Sequence, residues 1–434
     1  MSLTLSQLAQ QAKENLNRTF TSIIHLVDLD LLRQSHKRLR REASAGVDGV
    51  RWVDYEQKLE GNLQGLLERL KSKTYRAQPV KRVYIPKENG ERRPIGITAH
   101  EDKIVQRAVV TVMEAIYEQD FVEGSYGFRP GRSAHQALEA SWRALMNGRI
   151  NVVLDADIES FFDRLDKKWL MTMIEHRIKD GGLLRLVAKW LHAGVLEDGR
   201  WEEPEMGTPQ GAGISPLLAN IYLHYALDLW VERVVNKRTR GRVFLYRYAD
   251  DVLLGFEDER DAEKVSVALR KRLEKFGLKL NEKKTRLLTF GRQAWERWKS
   301  GGPRPQTYTF LGFLHISATS REGGFVVKRE TSPKRLSRAI QRVWTWCRDN
   351  RHRPAKEQQE RLNRGLRGHY NYYGLPGNSD GLTTLHFWVT RSWHRWLSRR
   401  SQEGAIAWSK FEDFLRLYPL LSPKLPPRRT PARC

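Results

Sequence analysis

Two adjacent acids, Asp250 and Asp251, lie between the apolar runs Val243-Phe244-Leu245-Tyr246 and Val252-Leu253-Leu254-Gly255-Phe256. Carboxylates disfavour both burial and each other's charge, so the pair calls for a cation. A tight turn between two strands can offer both sets of oxygens to a divalent ion. A third acid, Asp157, closes an apolar stretch that begins at Asn151 and is followed by Phe161-Phe162-Asp163. Brought together, three carboxylates can hold two Mg²⁺ ions roughly 3.5–4 Å apart, an arrangement suited to activating a 3′-hydroxyl and clamping a triphosphate. Mn²⁺ is an acceptable substitute in such a site. Asp155 shares a strand face with Asp157 but lies farther from the strand end, and Asp163 lies beyond it, so both stay outside the proposed set. Lys284 is placed to donate a proton to a pyrophosphate leaving group.

The elements that must position these groups are legible in outline. Val80 to Pro86 and Arg92 to Ile97 read as strands joined through Asn89-Gly90. Ile104, Ala108, Val109, Val112 and Ile116 recur at helical spacing. Ser133 and Gln136 form a capping box for the next helix, and Asp166 caps the one through Leu170, Met173 and Ile174. Met206 to Ser215 is a Gly/Pro-rich loop leading into a helix over 216–229, and Gln210 within it can reach a sugar or base. Ala262, Val265, Leu269, Leu273 and Phe276 mark a further helix, closed by Gly277. Phe310-Leu311-Gly312-Phe313 and Gly324 to Lys328 read as strands. After Ser332-Pro333, an N-cap and first-turn pair, the pattern is helical to about residue 415. Leu385, Trp388, Val389, Trp393, Trp396 and Leu397 make an apolar stripe there, with Arg391, Arg395 and Arg399 in line beside it, ready for phosphate. The Pro/Arg-rich tail reads as extended.

Composition narrows the partners. The 434 residues carry a net charge of +25, with 14 Trp, 14 Tyr and 15 Phe, which implies a polyanion-binding protein with a large folded core. Residues 291–434 hold 28 Lys and Arg against 10 Asp and Glu, so the C-terminal third is the main grip on phosphate. Only Cys347 and Cys434 are present, which supports neither a disulfide framework nor a cysteine zinc site. No apolar run is long enough for a bilayer and the N-terminus lacks the apolar core of a signal peptide. The expected setting is the cytoplasm, in association with nucleoid or RNA and with no membrane.

Arg93-Pro94-Ile95-Gly96-Ile97, Ser125-Tyr126-Gly127-Phe128-Arg129-Pro130-Gly131-Arg132-Ser133, the Asp157 segment, Gly207-Thr208-Pro209-Gln210-Gly211 with Ser215-Pro216-Leu217-Leu218-Ala219-Asn220, Tyr248-Ala249-Asp250-Asp251, Asn281 with Lys284-Thr285, and Phe310-Leu311-Gly312-Phe313 occur in this order. The ordered set resembles the reverse transcriptases, or maturases, encoded by bacterial group II introns. It covers residues 35–315 and continues more weakly through Gly368-His369-Tyr370-Asn371-Tyr372-Tyr373-Gly374. Two departures, Gly211-Ala212-Gly213-Ile214 and Thr98, touch loop shape and not ligands.

The resemblance implies an α+β right-hand polymerase, with fingers and palm built on antiparallel sheet and a helical thumb that doubles as the maturase domain. Its expected divisions are a mostly helical N-terminal extension (1–80), fingers and palm (81–315), thumb and RNA-binding domain (316–418) and tail (419–434). It assigns dNTP contacts to Lys87, Arg93, Gln210 and Phe162, the last as a steric gate against a ribose 2′-hydroxyl. It adds Ile158 to the metal ligands. Template contacts fall to Arg129 and Arg132, and primer contacts to Leu311, Gly312 and Tyr248. The implied activity is RNA-directed DNA synthesis on an RNA template and DNA primer, with binding of group II intron RNA to assist splicing and retrohoming. A homodimer is one assembly left open. Two alternatives keep the resemblance: a free-standing enzyme of DNA repair or defence, and a splicing-only RNA-binding maturase. No Cys/His spacing matches the zinc-associated endonuclease of some relatives, so priming from forks or other nicks is expected.

Overall fold

The computed structural model describes residues 3–86, 92–197, 200–202, 206–207, 211–400 and 404–424. It is an α+β protein with eleven strands among the described residues. In chain order these are β1 (Val80–Pro86), β2 (Arg92–Ile97), β3 (Val152–Asp157), β4 (Val195–Glu197), β5 (Arg200–Glu202), β6 (Val243–Tyr248), β7 (Asp251–Phe256), β8 (Arg286–Thr289), β9 (Tyr308–Phe310), β10 (Phe313–Thr319) and β11 (Phe325–Thr331). They form three sheets, ordered β2-β1-β4-β5, β6-β7-β3-β8 and β11-β10-β9. Antiparallel pairing dominates; β1 with β4 is parallel. The strands expected at Val80–Pro86 and Arg92–Ile97 form as read, in antiparallel register from Lys81 opposite Ile97 to Pro86 opposite Arg92. Asn89 and Gly90 lie outside the described residues.

The chain divides into two compact units, one comprising residues 1–137, 156–254 and 260–286, the other 138–155, 255–259 and 287–434. The first unit is organised on the helix His100–Asp120, which is apolar over most of its circumference and buried accordingly. Ile104, Ala108, Val109, Val112 and Ile116 are each fully buried, as their spacing requires. Asp166 caps its helix as expected, accepting from Lys168 and Trp169 N–H. The helix expected over 216–229 starts at Ser215 but runs on to Arg238, through two π-helical turns at His224–Asp228 and Val231–Val235. Such widened turns displace side chains from the ordinary helical register, and the first of them carries Asp228.

In the second unit the helices Pro333–Asp349, Ala355–Tyr373, Ser379–Leu397 and Trp408–Leu417 enclose a core around Trp393, Phe411, Cys347, Leu366 and Leu385. Trp393 also donates to Gln358 Oε1 at 2.9 Å. The expected apolar stripe holds except at Trp388, which is 43% exposed. The segment Phe310–Phe313 is not a continuous strand. Leu311 (φ 50°) and Gly312 (φ 81°) are the left-handed corner between β9 and β10, the geometry of a two-residue hairpin. Ser332 occupies the N-cap position but its side chain caps nothing; its N–H is bound instead by the Gly312 carbonyl at 3.0 Å.

Candidate active site

The acidic hairpin is built from beneath by a charge. In β6, Val243, Leu245 and Arg247 alternate onto a buried face, and Arg247 is fully buried. Its guanidinium has five N–H donors, and every one has an acceptor. Nε and Nη2 hold the equally buried Asp228 at 2.8 and 2.6 Å. Nη1 donates to Asn220 Oδ1 (2.9 Å) and to the Ala249 carbonyl (3.1 Å), and Nη2 also reaches Ser125 Oγ (2.7 Å). Asn220 in turn donates to the Gly127 carbonyl at 2.7 Å. A Cβ on Gly127 would stand 2.2 Å from Ala249 N, and one on Gly124 2.1 Å from the Leu245 carbonyl. Both glycines are therefore required by close backbone approach to β6 and its turn.

Above this network, Ala249 and Asp250 are the two residues connecting β6 to β7. Ala249 has φ 57°, a conformation in which glycine is usual. Asp251 opens β7 at an exposed position. Asp157 ends β3, its N–H donating to Thr285 Oγ1 (3.3 Å) and its carbonyl accepting from Asn281 N–H (2.8 Å). Glu159 N–H donates to Lys279 O at 2.8 Å. These two main-chain bonds flank the Ile158–Leu280 bridge and leave the Ile158 carbonyl out of it. Lys284 Nζ lies 3.1 and 3.4 Å from the two Asp157 carboxylate oxygens.

Asp250 reports what surrounds it. Burial pushes its carboxyl above the usual carboxylate range and the Asp157 charge adds to this, while its own N–H, Arg93 and Lys284 pull the other way. Asp157, Asp250, Lys284 and Arg93 thus share one electrostatic neighbourhood. Carboxylates of Asp157, Asp250 and Asp251 with the Ile158 carbonyl are an all-oxygen donor set suited to Mg²⁺ or Mn²⁺. Among the described residues no three acidic, histidine or cysteine side chains converge as a metal-holding group. The Lys284 ammonium stands on Asp157 as the cation there, so the donors fit the group in chemistry while Asp157 remains paired with the chain's own charge.

Other expected contacts fall as follows. Phe162 is half-buried in the short helix Phe161–Arg164, five residues past Asp157. Tyr248 is half-buried at the end of β6, with the Phe128 ring 6.2 Å away. Arg132 lies over the Tyr126 ring at 5.5 Å. Arg129 is turned inward: it is 7% exposed, pairs with Glu118 and donates to the Val122 and Ser125 carbonyls. That geometry buttresses the loop and does not present the guanidinium to a phosphate. Leu311 and Gly312 belong to the second unit, where Tyr372 donates to the Leu311 carbonyl (2.8 Å) and Tyr373 Oη is 2.9 Å from where a Gly312 Cβ would be. Arg391, Arg395 and Arg399 lie over Phe387, Trp344 and Trp396 at 5.1, 5.0 and 5.4 Å, exposed and stacked. Lys87 and Gln210 lie outside the described residues.

Sequence reasoning missed Arg247, Asp228 and Phe128. The signal for Arg247 was present, a lone cation within an apolar strand next to the acids. Phe128 is 53% exposed and holds φ 57°, an outlier for so bulky a residue.

Residues 85–315 match the family model described as reverse transcriptase (RNA-dependent DNA polymerase). The chain belongs to the reverse transcriptase family. This reverse transcriptase is 37% identical over 238 residues to group II intron-encoded protein LtrA of Lactococcus lactis subsp. cremoris, covering 54% of its own chain and 39% of LtrA. It is 40% identical over 198 residues to protein YkfC of Escherichia coli (strain K12), covering 45% and 52% of the two chains. A third relative is nuclear intron maturase 2, mitochondrial, of Arabidopsis thaliana, 30% identical over 177 residues, or 32% and 24% of the two. The resemblance to group II intron proteins is thus borne out. The matched region of the reverse transcriptase spans about half or less of the length of these relatives. No helix among its described residues is long and apolar enough to cross a membrane.

Proposed function

We propose that this chain is an RNA-directed DNA polymerase of the group II intron type, which extends a DNA primer on an RNA template and binds intron RNA to assist splicing. The observation that carries this reading is the sheet order that sets β3, which ends in Asp157, beside β7, which opens on Asp251, with Lys284 Nζ 3.1 Å from the Asp157 carboxylate. In the proposed right-hand arrangement, Asp157, Asp250 and Asp251 with the Ile158 carbonyl would hold two Mg²⁺ ions. When bound, the ions supply Lewis-acid stabilisation of the attacking and leaving oxygens. The protein's own groups do the rest. Arg93, with Lys87 and Gln210, holds the triphosphate and sugar, and Phe162 closes the space beside the ribose 2′ position. Tyr248 supports the primer end, and Arg132 takes a template phosphate.

Lys284, once off Asp157, is placed to protonate the departing pyrophosphate. The line Arg391, Arg395 and Arg399 binds RNA phosphate. Each guanidinium is already oriented by an aromatic ring, and its edge remains open for hydrogen bonds. Primer extension on an RNA template, comparing wild type with Asp250→Ala, tests the reading. Synthesis dependent on Mg²⁺ and lost in the variant is expected. Wild-type synthesis no greater than that of the variant refutes it. Splicing of a flanking intron by the purified protein tests the RNA-binding part separately.

A further inference from the structure

The helical unit contains a cavity of about 360 Å³ whose polar lining none of the roles above uses. One wall comes from the helix Ala355–Tyr373, where Arg361, Arg364, Gly365, Gly368 and His369 recur on one face. The facing helix Pro333–Asp349 contributes Arg342 and, one turn on, Trp346. The remaining lining is apolar, and among the described residues that line the space none is acidic.

Three observations point to an occupant. Gly365 and Gly368 are interior to a helix, where each costs about 1 kcal/mol relative to alanine. Packing does not require them: a Cβ at Gly365 meets only the far end of Arg361, at 3.9 Å, and one at Gly368 meets nothing within 4 Å. Their effect is to leave the cavity wall open. Second, His369 Nε2 is buried with no hydrogen-bond partner, and burial lowers that imidazole to about 4, so it is neutral near pH 7. The ring thus lines the space as an uncharged aromatic surface. Third, the exposed arginines 342, 361 and 364 surround the opening, with Arg361 5.9 Å from the Trp346 ring. The cavity's size suits a single nucleotide, and this third of the chain is strongly basic.

We propose that this cavity receives one unpaired nucleotide extruded from an RNA strand. Trp346 stacks on the base, the neutral His369 ring lines the space beside it, and the three arginines take the adjoining phosphates. The inference rests on the RNA-binding part of the reading above and adds a preference that phosphate contacts alone do not produce: unpaired over paired RNA.

The test uses the full chain and two RNA hairpins, one carrying a single-nucleotide bulge of 2-aminopurine and one fully paired. Free 2-aminopurine ribonucleoside monophosphate forms a third arm. The wild type is expected to bind the bulged hairpin about tenfold more tightly than the paired one, the worth of one stacked base, and to quench the bulge fluorescence. Gly365→Leu, which fills the cavity at a position with room for a side chain, should bind both hairpins with the paired hairpin's affinity. Arg364→Ala, which removes a phosphate contact, should weaken binding of both hairpins, retain the preference for the bulge and keep its melting temperature. Equal affinity of the wild type for the two hairpins overturns the proposal. So does a preference that survives Gly365→Leu, or free monophosphate competing as well as the bulge. Primer extension separates the two readings: bulge preference without synthesis leaves the cavity standing and removes the polymerase assignment.

Discussion

Asp228→Asn is the sharpest perturbation of the site's foundation. The exchange is isosteric, so it keeps the volume of the buried network while removing the charge that compensates Arg247 and turning one of its two acceptors into a donor. Both side chains are fully buried, and the pair is bidentate at 2.6 and 2.8 Å. Breaking such a pair from one side leaves an uncompensated interior charge, which costs about 3–5 kcal/mol. An exposed pair would cost less than about 1 kcal/mol. The loss bears directly on the site, because the same guanidinium holds the Ala249 carbonyl and, through Asn220, the Gly127 carbonyl. Urea unfolding at fixed pH measures the stability, and primer extension well below the melting temperature measures the rate. Both should fall, and the rate should fall even where the variant is fully folded. A stability change under about 1 kcal/mol together with an unchanged rate would refute the argument that this ion pair positions the hairpin.

Gly127→Ala forces a methyl group to within 2.2 Å of Ala249 N unless backbone moves, so a loss of about 1–3 kcal/mol and of primer extension is expected; wild-type values of both would contradict it. Lys284→Ala removes a pair whose side chains are 66% and 36% exposed, so stability should change by less than about 1 kcal/mol. The extension rate should nonetheless drop about 10²–10⁴-fold with loss of the basic limb of its pH profile, and a rate within twofold of wild type removes the proton-donor role. Phe162→Ala should admit ribonucleotides more readily in a competition with deoxynucleotides; unchanged selectivity removes the gate. Burial depresses His100, His224 and His369 to about 4 and His315 to about 3. The unfolded chain therefore binds their protons more readily, and the stability they contribute is present above pH 6.5 and lost as pH falls toward 4. Asp102 and Asp120, raised by burial to about 6, and Asp250, Glu114 and Glu118, raised in the same direction, act with the opposite sign but through smaller shifts. The urea midpoint should fall between pH 6.5 and 4.5, and a level or rising midpoint would overturn this.

Local signals carried much of the fold. Asn-Gly between apolar runs marked β1 and β2. The Ser133–Gln136 box formed with both of its bonds, at 2.8 and 3.3 Å. These depend on residues a few positions apart, where propensity and capping decide. What sequence did not show was pairing over distance. Arg247 reaches Ser125 across 122 positions, and no period or spacing announces such a partner. Arg129 shows the converse: a surface-seeking residue type held inside by Glu118 and two carbonyls. Phe310–Phe313 was read as strand from its apolar composition, but two successive left-handed residues make it a corner. Periodicity carries the helix that starts at Ser215 only to Leu229, short of Arg238, because it fails where the turns widen to π geometry.

Position 249 bears on how this site tolerates variation. Its φ of 57° penalises branching at Cβ, its side chain is 6% exposed, and Gly127 packs against its nitrogen. Glycine would fit there with less strain, at the expense of a floppier turn, whereas a β-branched residue would meet a torsional penalty. The placement of two carboxylates thus depends on a backbone conformation held at a residue that carries no charge. A library randomised at this one codon and selected for DNA synthesis should be depleted of β-branched residues.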